Sequence, residues 1–264
     1  MTSESPFDGV ADVYDRVRPL YPDRLYSDLF HYLGGDAEEP GTLATVEIGP
    51  GTGQATGALL KRGATVAAVE PGPRLAVFLR EKFADQPRLV VINERFEDAP
   101  LPTEVADLVF AATSFHWVDR EVRYEKTLAT LRPGGVLAIV HGHQIASEAD
   151  RGYFAASQPI YARYFGQDET PTLPDEDVTP SEVGEIIDHG GFEAVELFRY
   201  RFDQRYSTSE YADLVRSYSG TQQMAADLRG PFIADLSAFI EGEFDGTVVR
   251  PLVLTLLLAR KRAT

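Results

Sequence analysis

The stretch Val46-Glu47-Ile48-Gly49-Pro50-Gly51-Thr52-Gly53-Gln54 decides how this chain is read. A mostly apolar run, Leu43 to Ile48, enters three glycines at alternate positions, and a helix-like segment, Gln54 to Arg62, follows at once. Strand, glycine turn, helix is the entry to a nucleotide-type ligand site. The glycines let the backbone turn sharply and approach a ligand, and unpaired helix N–H groups face it.

Outward from this loop the chain alternates. Strands are expected over 43–48, 64–70, 88–92, 107–112 and 136–140, with helices over 54–62, 73–83 and 120–131 between them. Short apolar strands separated by helices imply a parallel sheet covered on both faces. Further strands at 192–200 and 252–259 bring the count to seven: an α/β, doubly wound, Rossmann-like sheet. In such sheets ligands sit beyond the carboxyl ends of the strands. Gly49–Gly53, Glu70, the 93–98 loop and the 112–119 loop therefore fall along one edge. The capping-box spacing Ser207-Thr208-Ser209-Glu210 starts one later helix, and another is expected over 221–240. The expected organisation is one domain over 1–264, with an N-terminal helical arm at 1–35. Helical insertions at 145–178 and 204–242 are expected to form a lid.

Composition excludes several functions. The 264 residues are 44% hydrophobic and 25% charged, the balance of a globular chain with a real core. With 41 acidic against 25 basic side chains the formal charge is −16, which argues against a nucleic-acid partner. No cysteine is present, so thiol nucleophiles and cysteine metal sites are excluded, and no metal is expected. The longest apolar run, 251–259, is too short to span a membrane, and a cytoplasmic monomer or homodimer is expected.

Two carboxylates narrow the ligand. Dinucleotide loops place glycines at the first, third and sixth positions; here the sixth, counted from Gly49, is Gln54. Glu47, two residues before Gly49, would repel a pyrophosphate and suits a ligand carrying positive charge, such as S-adenosylmethionine. Glu70 ends the second strand, where a carboxylate can accept from both ribose hydroxyls. That contact would serve NAD equally.

The ordered set Glu47–Gly53, Val69-Glu70-Pro71, Phe96–Leu101, Ser114–Asp119 and Leu131–Gly135 resembles the class I S-adenosylmethionine-dependent methyltransferases. The branch resembled is the small-molecule one, trans-aconitate methyltransferase-like, and the likeness extends to the Tyr14–Pro22 arm. The resemblance implies that Gly49, Gly51 and Gly53 line the methionine end and that Tyr14, Arg18 and Glu47 also bind the cofactor. It places Glu70 and Pro71 at the ribose, and Arg95, Phe96 and Glu97 at the adenine. Ala112, Thr113 and Ser114 fall beneath the sulfur, and Trp117 with His116 at the mouth. The family often has an acidic residue in place of Arg95; arginine cannot accept from the adenine amino group, which leaves that contact to Glu97, water or backbone, or leaves Arg95 to stack.

Methyl transfer is in-line displacement at an activated carbon, so alignment supplies most of the catalysis. A base is needed only where the acceptor must lose a proton. His116 is the first candidate, with His141 and His143 as others. Tyr21, His143, Tyr153 and Tyr218 are candidate acceptor contacts, and Arg18 could hold an anionic acceptor. The alternatives are a nicotinamide oxidoreductase and a non-catalytic cofactor-binding protein on the same fold.

Overall fold

The computed structural model describes residues 20–34, 43–166 and 171–263. Tyr14 and Arg18 lie outside them.

In chain order the elements are α1 (Asp23–Leu33), β1 (Ala44–Ile48), α2 (Gln54–Lys61), β2 (Thr65–Val69), α3 (Pro73–Lys82), β3 (Leu89–Ile92), β4 (Ala106–Ala112), α4 (Arg123–Thr130) and β5 (Leu131–Gln144). They continue through α5 (Tyr153–Phe165), α6 (Glu182–His189), β6 (Phe192–Ser207), α7 (Thr208–Arg216), α8 (Ser219–Gln223), α9 (Ala226–Glu243) and β7 (Thr247–Lys261). The seven strands form one sheet in the order β3-β2-β1-β4-β5-β7-β6, with β7 antiparallel to both its neighbours and the other pairs parallel. The sheet is thus mostly parallel, as its apolar strands dictate.

Alternation along the strands divides the core. Leu108, Phe110, Val136, Ala138 and Val140 face α1 and α2, whereas Val109, Ala111, Leu137 and Ile139 face the other way, toward Phe115, Tyr124 and Ile186. A third apolar cluster is helical: Tyr153 of α5 and residues of α7–α9 surround Phe232. None of the helices among the described residues is long and apolar enough to cross a membrane.

The local chemistry explains the element ends. Pro73 opens α3 at its first turn, and Gly34 stops α1 at φ 110°. Ser207 and Glu210 form the reciprocal capping box at the start of α7. Several expected bounds are corrected. The helix expected at 120–131 begins only at Arg123, because Phe115–Trp117 forms a separate 3₁₀ turn before it. The single helix expected over 221–240 is two, broken where Met224 and Ala225 adopt extended backbone. β6 and β7 run well past 192–200 and 252–259, pairing continuously from Glu196↔Leu258 to Ser207↔Thr247. The alternation Phe198, Tyr200, Phe202 against Arg199, Arg201, Asp203 is the period-two signal of that extension. β5 runs to Gln144, so His141 and His143 stand within the strand instead of beyond it.

Candidate active site

The glycine loop leaves β1 with Gly49, Gly51 and Gly53 at φ 61°, 59° and 82°, a region that disfavours side chains. Their surroundings differ. A Cβ on Gly49 would stand 2.7 Å from the Cβ of Ser114, so this glycine lets the loop and the end of β4 meet. A Cβ on Gly53 would meet Phe83 and Leu79 of the α3 region, so this glycine serves packing and does not line the cavity. Gly51 has nothing within 4 Å of a Cβ position; its open side borders a cavity of about 510 Å³. That volume suits a small organic ligand.

Charge around the loop is arranged with care. Glu47 is buried on the α2 side of β1 and accepts a 2.6 Å hydrogen bond from the Thr56 hydroxyl. Among the described residues no cation pairs with it. Burial, against the opposing bond from Thr56, pushes its carboxyl up to about 7. Glu70 accepts from the Gly51 amide at 3.0 Å and from the Gly72 amide at 2.8 Å, tying the loop to the end of β2. Asn93, which the sequence reading overlooked, donates to the Glu70 carbonyl and fixes that turn. Lys82 secures the loop by donating to the Thr52 carbonyl.

The remaining expected residues fall as follows. Tyr21, Glu47, Gly49, Gly51, Glu70, Pro71, Arg95, Phe96, Glu97, Ala112, Thr113, Ser114 and Trp117 all line this one cavity. Arg95 donates to Glu97 at 2.7 Å, and the same oxygen accepts from the Asp119 amide at 2.9 Å. Thr113 holds φ 55°, strained for a β-branched residue, where β4 ends at the cavity. Trp117, 62% exposed, stands at the rim. Gln223, at the end of α8, also lines the wall and carried no sequence signal.

His116 does not line the cavity. Its ring lies 5.1 Å from that of Trp117 and 6.4 Å from that of His141, which lies 6.0 Å from His143. Burial, reinforced by His141, lowers the pKa of both His116 and His143. His141 stands 3.4 Å from the buried Glu182 and holds that carboxyl down at about 2. Tyr153 is enclosed in the helical cluster, edge-on to Tyr211 and Phe244, away from the cavity. Tyr218 is engaged by Arg250.

Residues 46–139, which carry nearly all of this geometry, match the model of a methyltransferase domain. The chain is 32% identical over 134 residues to an uncharacterized methyltransferase of Mycobacterium tuberculosis, 51% of each chain. It is 48% identical over 64 residues to ribosomal RNA small subunit methyltransferase A of a Synechococcus species, 24% of this chain and 23% of that one. The chain thus spans about half or less of the curated relatives it matches. Among solved structures, phosphoethanolamine N-methyltransferase 2 of Haemonchus contortus with S-adenosyl-L-methionine aligns at TM-score 0.52 and 14% identity, covering 97% of this chain and 56% of that one. Identity that low speaks to the fold alone. The match over residues 46–139 and the order of the seven-stranded sheet are what make the chain similar to the methyltransferases.

Proposed function

We propose that the chain transfers a methyl group from S-adenosylmethionine to a small-molecule acceptor. The observation that carries this reading is Glu47, a buried carboxylate with no cation beside it among the described residues, on the wall of the cavity next to the open side of Gly51. A buried anion is retained at a cost unless something neutralises it. The α-ammonium and sulfonium of the methyl donor do so, and a pyrophosphate does the opposite.

The residues present fit that cofactor. Gly51 lets the backbone approach the methionine end, the Glu70 carboxylate on the cavity wall is an acceptor suited to ribose hydroxyls, and Phe96 offers an apolar wall for the adenine. When bound, S-adenosylmethionine supplies a methyl carbon already activated by its sulfonium. The chain's own work is then alignment and exclusion of water. Trp117 covers the rim, and the strained Thr113 fixes the end of β4 beneath the site. Where the acceptor must lose a proton, His116, beside Trp117, is the base we assign. The formal charge of −16 supports an acceptor other than nucleic acid.

Titration calorimetry with S-adenosylhomocysteine and with NADH tests the reading. Micromolar binding of the former and none of the latter is expected; the reverse would sink it. Turnover of labelled methyl donor against a metabolite panel separates an enzyme from a binding protein.

A further inference from the structure

Gln222 and Gln223 end α8 side by side, and their side chains are used differently. Gln222 donates its side-chain amide to the Arg216 carbonyl at 2.6 Å and so braces the helical cluster. Gln223 makes no side-chain hydrogen bond among the described residues and stands on the wall of the cofactor cavity. It is the one described residue of 145–242 that lines this cavity.

The backbone around Gln223 is held firmly. Arg229 of α9 donates from Nη2 to the Gln222 carbonyl at 2.7 Å and from Nε to the Met224 carbonyl at 2.9 Å. One guanidinium thus grips the chain on either side of Gln223. Thr221 and Met224 are buried, and extended backbone at Tyr218 and Met224 bounds the helix. The plain alternative is that Arg229 only caps the carbonyls left open at the end of α8. Capping accounts for the guanidinium. It does not account for a fixed and unspent amide on the cavity wall.

The cavity lacks donors for an anion. Its wall carries the carboxylates of Glu47, Glu70 and Glu97, and its one cation among the described residues, Arg95, donates to Glu97. A methyl donor of the S-adenosylmethionine type brings an α-carboxylate into these acidic surroundings. Backbone N–H groups of a glycine loop are the ordinary means of holding such an anion. Here the Gly49 amide donates to the Val69 carbonyl, that of Gly51 to Glu70 and that of Gly53 to the Pro50 carbonyl. Pro50 has no N–H to offer. A side-chain donor has to make up the difference.

Topology brings Gln223 to the right end. The helical cluster rests on β6 and β7 through Tyr206 and Val248. In the sheet order, β1 with its glycine loop is two strands nearer to β7 than β3, which leads to Arg95–Glu97. Two strand spacings are about 10 Å. A side chain entering from the cluster therefore meets the methionine end before the adenine end.

We infer that Gln223 donates its side-chain N–H to the α-carboxylate of the methyl donor, with Arg229 as the residue that positions it. The helical cluster thereby reads the amino-acid end of the cofactor and is ordered by it. The inference rests on the methyltransferase reading above and adds a contact from outside residues 46–139.

Titration calorimetry on the intact chain compares S-adenosylhomocysteine with 5′-methylthioadenosine, which keeps the adenosine and sulfur but lacks the amino-acid end. Gln223→Ala should weaken S-adenosylhomocysteine about tenfold, near the low end for hydrogen bonds to charged groups, and leave 5′-methylthioadenosine within about twofold. Gln223→Glu, which adds a carboxylate to the wall, should weaken S-adenosylhomocysteine more than Gln223→Ala does. Arg229→Gln should reproduce part of the loss, again for S-adenosylhomocysteine alone. Hydrogen exchange gives a second readout: S-adenosylhomocysteine should slow exchange over 219–224, and 5′-methylthioadenosine should not. Equal loss of both ligands in Gln223→Ala, no loss of either, or tighter binding to Gln223→Glu overturns the inference while the methyltransferase reading stands. Failure of S-adenosylhomocysteine to bind the wild-type chain overturns that reading and this inference with it. Should the variants not fold, the wild-type exchange comparison decides alone.

Discussion

Glu47 and Arg250 each hydrogen-bond neutral side chains, and they sit in regions assembled on different plans. Glu47 belongs to the glycine-loop half, where its hydrogen-bond partner, Thr56, is nine residues away on the adjoining helix. Arg250 belongs to the edge where the helical cluster meets the sheet, and its partners are 106 and 32 residues away. The first site is one strand–turn–helix unit. The second exists only once β5, β7 and α7–α8 have come together.

The largest expected effect breaks the first region and leaves the second intact. Glu70→Ala removes the acceptor of the Gly51 and Gly72 amides as well as the proposed ribose contact. S-adenosylhomocysteine affinity should fall by about 1.5–3 kcal/mol, and thermal unfolding should report a further loss of about 1–3 kcal/mol for the stranded amides. An unchanged dissociation constant for S-adenosylhomocysteine would remove Glu70 from the site.

Glu47→Gln is the sharper cut. It keeps the volume and a hydrogen bond to Thr56 but deletes the charge. Affinity for S-adenosylhomocysteine should fall by about 2 kcal/mol, within the range for a charge-assisted bond, while the melting temperature of the ligand-free chain holds or rises. A concerted fall in both would mean that Glu47 is structural.

The pH dependence sharpens the reading of Glu47. The folded carboxyl of Glu47 titrates at about 7 against an ordinary 4.5. Its contribution to stability is present below 4.5 and is lost as pH rises through about 7, because the buried anion must then be formed. His116 and His143, both lowered, act oppositely: their neutral folded forms cost stability as pH falls below 6.5. The difference between wild type and Glu47→Gln isolates the carboxylate. Ligand affinity should follow the ionised form, rising up to about tenfold per pH unit toward 7 and flattening above it, with proton release measurable by calorimetry in buffers of different ionisation enthalpy.

The same contrast explains what the sequence could and could not tell. The glycine loop, Glu47, Glu70 and the order of strands were legible because each depends on neighbours in the chain, and strand periodicity fixes which edge they share. Even there, Gly53 reads as a ligand glycine and turns out to accommodate Phe83 and Leu79, because helix–helix contact leaves no local mark. Arg250 was invisible. In the sequence it is one arginine before a proline at a strand start, and nothing near it announces Gln144 or Tyr218. The break at Met224 was hidden for a similar reason: neither Met224 nor Ala225 is a helix breaker, and only the packing of Met224 into the helical cluster marks the turn.

The smallest expected effect concerns Arg95, at the end of the cavity proposed for the adenine. Arg95 is exposed and spends its guanidinium on Glu97, whose oxygen is also held by the Asp119 amide. An exposed pair of this kind contributes little to stability. If it only braces Glu97, Arg95→Ala should change melting temperature and S-adenosylhomocysteine affinity by less than about 0.5 kcal/mol, because the Asp119 amide keeps the carboxylate in place. If Arg95 instead stacks on the adenine, the loss should exceed about 1 kcal/mol and should vanish for a ligand lacking the base, such as homocysteine. Comparing the two ligands across the one substitution distinguishes a brace from a stacking surface, and a loss shared by both ligands would exclude each of these roles.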